Sequence, residues 1–165
     1  MDFDFYLNKF NDAIAALNKQ QFALAGIELH AGIILNSVAL KAYKISWASD
    51  QTKPITSTSR IFFSIWVSDA SLSQNKLLYN IHALKLRQFT GYKITSRDFA
   101  EKFRKKFAAY KKDWPNISLD YGPLTLMEGW VELNMRTLEN DIRSLLQKFI
   151  AMHSIIDGLL DSYKV

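Results

Sequence analysis

Arg60-Ile61-Phe62-Phe63-Ser64-Ile65-Trp66-Val67-Ser68 is the stretch on which the fold turns. Its β-branched and aromatic residues fill a run of the length an interior strand needs, with polar residues on both flanks. Neighbouring side chains on a strand point to opposite sides, so Ile61, Phe63, Ile65 and Val67 face one way and Phe62 and Trp66 the other. Both faces of the sheet are apolar at this strand. If helices cover only one of them, the other is left as an aromatic-lined pocket or a contact surface for another subunit.

Working outward, the polar segment Asp69 to Asn75 reads as a turn and Leu77 to Leu86 as the next strand. Upstream, Ser49 to Ser59 is rich in Ser and Thr and reads as an exposed connection. Before it, Val38 to Trp47 alternates as a strand, with Tyr43, Ile45 and Trp47 on one face. Residues 22 to 36 carry two patterns: Ile27, Leu29, Ala31 and Ile33 alternate as in a strand, while Phe22, Ala25, Leu29 and Ile33 would line a helix. The strand is preferred, because Gly26 and Gly32 would each penalise a helix interior by about 1 kcal/mol.

The helices are signalled by periodicity. Phe3, Leu7, Phe10, Ile14 and Leu17 step by four and three, with Asp2 or Asp4 as the cap. Phe99, Phe103, Phe107 and Tyr110 form a second stripe, opened by Thr95 or Ser96 and closed by Trp114-Pro115. Ile117 to Tyr121 and Leu124 to Leu133 read as two strands joined at Gly122-Pro123. From Met135 to Tyr163 an apolar seam of alternating steps of three and four predicts one long closing helix. The expected class is α+β: an antiparallel or mixed sheet of five or six strands, an N-terminal helix, a basic central helix and a long C-terminal helix packed on the sheet. All of it is expected in one domain spanning 1–165.

Composition narrows the functional classes. With 165 residues, 48% of them hydrophobic and 22% charged, the chain can build one packed core. It has no cysteine, which excludes disulfide frameworks, thiolate metal sites and cysteine nucleophiles. Met1-Asp2-Phe3-Asp4-Phe5 is acidic where a secretory signal is basic, and the apolar passage Ala23 to Leu35 is too short and too polar for a membrane helix. A cytoplasmic location with no membrane partner is the expectation.

Four groups of residues are candidates for function. The helix between Arg97 and Lys112 carries seven cations against two acids. Its Lys102, Arg104, Lys105 and Lys106 can neutralise phosphates of a nucleic acid or another polyanion, although a solvated outer face explains the same charges. At the start of that helix, Lys93, Thr95, Ser96 and Arg97 can surround an anion, where Thr and Ser also serve as ordinary caps. On the sheet, Trp66, His82, Glu128 and Trp130 are candidates for a pocket, with His82 as a proton carrier. Along the closing helix, Ile142, Leu145, Phe149, Met152, Ile156 and Leu159 invite pairing with another helix, of this chain or of a second copy.

No catalytic set stands out. Glu128 and Glu132 lie about 13 Å apart on a strand, too far for a glycosidase pair. His30, His82 and His153 fall in three elements with no metal-ligand spacing, and no cofactor is implied. A metal-dependent nuclease of similar element order would need an acid two positions before Lys85, where Ala83 stands. The preferred expectation is a non-catalytic interaction module, a homodimer joined through apolar helix or sheet surface.

Overall fold

In the computed structural model, which describes residues 1–165, the Asp2 carboxylate accepts the Phe5 amide at 3.1 Å and starts α1, Phe3–Ala15. Asn18 caps α2, Lys19–Leu24. Gly26, at φ 73°, then turns the chain into β1, Glu28–Ile34, a conformation that a side chain would disfavour. The two patterns read in residues 22 to 36 are thus divided: Phe22 belongs to the helix, and Leu29, Ala31 and Ile33 belong to the strand, with Ile27 just before it.

A two-residue turn, Leu35-Asn36, leads to β2, Ser37–Tyr43. This strand stops short of the expected Trp47. Residues Ile45–Trp47 form a 3-10 turn, which drives Trp47 into the core and leaves Ile45 on the surface. The buried indole donates to the Asp157 carboxylate at 2.8 Å, so the turn gives its N–H a partner that an outward-facing strand position would not have offered.

β3 is Arg60–Ser68, as read from its residue types. The expected polar turn after it is a short helix, α3, Asp69–Ser73, because Ser68 and Ser71 cap each other's backbone amides. β4, Lys76–Leu84, follows, then α4, Ser96–Phe107, and β5, Thr125–Glu132. The segment Ile117 to Tyr121 is not a strand. Asn116 sits at φ 50° and the Tyr121 amide folds back onto the Leu119 carbonyl, so only Ser118 bridges to Glu128.

The single closing helix expected from Met135 to Tyr163 is two: α5, Leu138–Met152, and α6, Ser154–Ser162. At the joint, His153 Nδ1 donates to the Ile150 carbonyl at 2.6 Å and competes with the helical ladder there. The apolar seam runs on across the break, so periodicity alone gave no sign of it.

The five strands lie in the order β1-β2-β3-β4-β5, every neighbouring pair antiparallel. α1 packs over β1 and β2 and against α5, while α4 packs on α6 and β5. The covered face is therefore the one carrying Ile61, Phe63, Ile65 and Val67, all buried. Phe63 stacks on Phe149 of α5 with ring centroids 4.6 Å apart, and Trp114 closes the corner against Phe63, Tyr79 and Phe107. Each such fully buried ring contributes about 1.5–3 kcal/mol through removal from water. No helix is long and apolar enough to cross a membrane.

Candidate interaction site

The closing-helix residues, expected to pair with another helix, are not at the surface. Ile142, Leu145, Phe149, Met152, Ile156 and Leu159 are all buried within the chain's own core. The seam exceeds what a surface helix needs because its partners are the sheet, α1 and α4. It offers nothing to a second chain.

The face of the sheet on which no long helix packs holds Trp66, His82, Glu128 and Trp130, each half-buried, beside Phe62, which is buried. Strand register aligns one apolar row, Gly32, Ala39, Trp66, Leu78 and Trp130, beside one polar row, His30, Lys41, Ser64, Asn80 and Glu128. The Asn80 amide links two of the candidates, donating to His82 Nε2 at 3.0 Å and to Glu128 at 3.2 Å. His82 then donates from Nδ1 to the Leu124 carbonyl at 3.3 Å, which makes it a neutral imidazole with both nitrogens used. Burial lowers its pKa further, against the opposing pull of the Leu124 carbonyl and Glu128. The four residues thus share a face, on which Asn80 ties His82 to Glu128.

Lys41, in the polar row, was missed by the sequence reading. It is only 9% exposed and makes no ion pair, its ammonium lying 4.5 Å from the centre of the Phe62 ring, which Arg60 also approaches. Burial, and after it the Arg60 charge, hold its pKa below the ordinary lysine value of 10.5. The folded chain therefore binds this proton less well than the unfolded chain. That cost is present in full at neutral pH and is relieved as pH rises through the folded pKa toward 10.5. Lys41→Met keeps the packing and removes the charge. It is expected to raise stability by about 1 kcal/mol at neutral pH and to flatten the alkaline rise, read by urea unfolding across pH. A loss of stability at neutral pH would contradict this account.

Of the basic-helix candidates, two are committed within the chain. Arg104 donates to four backbone carbonyls, those of Leu126, Tyr121, Gly122 and Thr125, at 2.9–3.1 Å. Lys102 pairs with Asp98 at 3.2 Å, and Asp98 also accepts from the Tyr163 hydroxyl. That hydroxyl, then Lys102, keep the Asp98 pKa below its usual range. Lys105 and Lys106 remain exposed on the outer side while Phe99, Phe103 and Phe107 point inward. At the helix start, Lys93 and Arg97 are exposed, Ser96 is half-buried and the Thr95 side chain makes no capping bond. The Lys93 amide is taken by the Tyr163 carbonyl, and Arg97 instead borders a 290 Å³ cavity with Glu101 and Arg104.

The two edges of the sheet differ sharply. Along β5, the outward carbonyls from Thr125 to Trp130 are taken: Leu126 and Thr125 by Arg104, Glu128 by the Ser118 amide at 2.8 Å, and Trp130 by the Asn116 side chain at 3.0 Å. Along β1 the opposite holds. A two-residue turn closes on a hydrogen-bonded pair, here Ile34 and Ser37, and bonding alternates from there. The N–H and C=O groups of Leu29, Ala31 and Ile33 therefore point away from β2, and none has a partner elsewhere in the chain. β1 also lacks the devices that blunt an edge, having no proline, no lysine and no bulge.

Beside the beginning of β1 lies a cleft of about 770 Å³. The end of α1 supplies Ile14 and Leu17, α2 supplies Phe22 and Leu24, and the strand and the 3-10 turn add Ile27, Leu29 and Ile45. Lys19, Glu28 and Lys44 border it, and Lys44 is paired with Asp157. The only sequence signal for this site was the pair of patterns in residues 22 to 36, whose boundary the cleft straddles. Comparison with protein-family models, with curated proteins and with solved structures finds no match.

Proposed function

We propose that this chain is a non-catalytic interaction module that self-associates by pairing β1 with β1 of a second copy, joining two five-stranded sheets into one. The observation that carries the reading is the contrast between the two edges. The chain commits Arg104, Ser118 and Asn116 to covering β5 and leaves the backbone groups of Leu29, Ala31 and Ile33 on β1 unpaired. A bare, flat edge is a template for another strand.

An antiparallel register centred on Ala31 suits both faces. On the helix side Leu29 meets Ile33 and Ala31 meets itself; on the other side His30 meets Gly32 and Glu28 meets Ile34. No like charges are brought together, and the symmetric contact closes at two copies. Light scattering is expected to give twice the chain mass of 19.0 kDa. Ile33→Lys places at a half-exposed position the residue that natural edges use against pairing. It is expected to weaken association at least ~10-fold with the fold intact. A wild-type chain that stays monomeric at the highest concentration reached, or an Ile33→Lys variant that dimerises as well as wild type, would remove the proposal.

A further inference from the structure

The turn joining β1 to β2 is built from unusual residues. Leu35 and Asn36 sit at φ 48° and 62°, the left-handed pair of a tight hairpin turn, a place for Asn-Gly rather than leucine. A leucine here strains the backbone and gains nothing within the chain, since it is 93% exposed. The cleft at the other end of the strand shows the complementary lack: an apolar floor of Leu17, Phe22, Ile27 and Leu29, with Leu24 81% exposed at its rim.

We infer that Leu35 of each copy docks in the cleft of the other, so that the dimer interface is closed by two reciprocal plugs. The inference rests on the β1 pairing proposed above and follows from its register. Leu35 lies four residues after Ala31 and Ile27 four before it, so pairing centred on Ala31 sets Leu35 of one copy beside Ile27 of the other. Asn36 then falls beside Gly26, which itself presents no side chain to the approaching turn and has only the Lys44 methylenes, 4.0 Å from where a Cβ would stand, next to it. The exposed leucine and the open cleft, roughly 26 Å apart along one strand at ~3.3 Å per residue, are brought together twice by the two-fold axis. The residues facing the cleft from Lys19, Glu28 and Lys44 leave its floor apolar, which suits a leucine and not a charged side chain.

The test uses the full chain and four variants: two single leucine variants and their double compared by analytical ultracentrifugation, and a cysteine variant for cross-linking. Leu35→Asn restores a residue the turn favours while removing the plug, and Leu24→Asp charges the rim at an exposed position. Each is expected to weaken the dimer ~10–100-fold without lowering the thermal midpoint of the monomer, and the double variant is expected to be no weaker than the worse single one. Ala31→Cys reports the pairing by itself, because the chain has no other cysteine and the two Ala31 positions face each other across the axis. Cross-linking of Ala31→Cys together with wild-type affinity in both leucine variants overturns the docking and leaves the pairing. Absence of the cross-link in Ala31→Cys, together with a wild-type chain that is monomeric, overturns both.

Discussion

Phe149→Ala is expected to destabilise the chain by about 3–5 kcal/mol, the range for removing a fully buried aromatic ring. The ring is 0% exposed, stacks on Phe63 at 4.6 Å and meets the edge of Trp47 at 6.0 Å. It joins α5 to the centre of the sheet and to the 3-10 turn after β2. Its loss leaves a cavity between two layers that cannot both move, because Phe63 is fixed by its strand and Trp47 by its bond to Asp157. In a chain of this size each kcal/mol lowers the thermal midpoint by roughly 2–4 °C, so a fall of about 6–20 °C is expected by calorimetry. A seam that served as a dimer contact would respond differently, with weaker association and an unchanged monomer. A loss below ~1 kcal/mol would mean that α5 does not pack as described.

Arg104→Ala is the second large effect, expected to cost about 3 kcal/mol. Hydrogen bonds to a charged group contribute about 1.5–3 kcal/mol each. Four share one guanidinium here and water can replace some at the exposed Tyr121 and Gly122 carbonyls, so the total falls well short of the sum. Arg104→Lys keeps the charge but cannot present a fork of donors to carbonyls on both strand and loop, and is expected to recover less than half of the loss. The Arg104→Ala variant also bares part of the β5 edge, so a second, concentration-dependent aggregation is expected beside the β1 contact. Were Arg104 held out for phosphates, its removal would leave urea unfolding within ~0.5 kcal/mol of wild type and abolish retention on an immobilised polyanion instead.

Both predictions bear on residues whose type was legible and whose destination was not. The seam on the closing helix was visible because a step of three and four repeats without interruption. The same repeat describes a helix laid on its own sheet and a helix awaiting a partner, and only the position of the sheet separates them. Arg104 stood in a run with Lys105 and Lys106, and nothing local distinguished the one that turns toward β5 from the two that stay in water. Trp47 looked like the next step of a strand. The carboxylate that draws it inward, Asp157, lies 110 residues away in the chain.

Local pattern is enough for the strand at Arg60–Ser68, the alternation of β1, a helix start capped by Asp2 or Asp4 and the phenylalanine stripe of α4, because each rests on a relation among near neighbours in the chain. Which apolar face of the sheet the helices cover, where Arg104 spends its donors, and that the carbonyls of one edge are capped from Thr125 to Trp130 while the other edge is bare, emerge only in the folded chain. Those are matters of register and of meetings between residues distant in the chain, and no local pattern encodes who the partner will be.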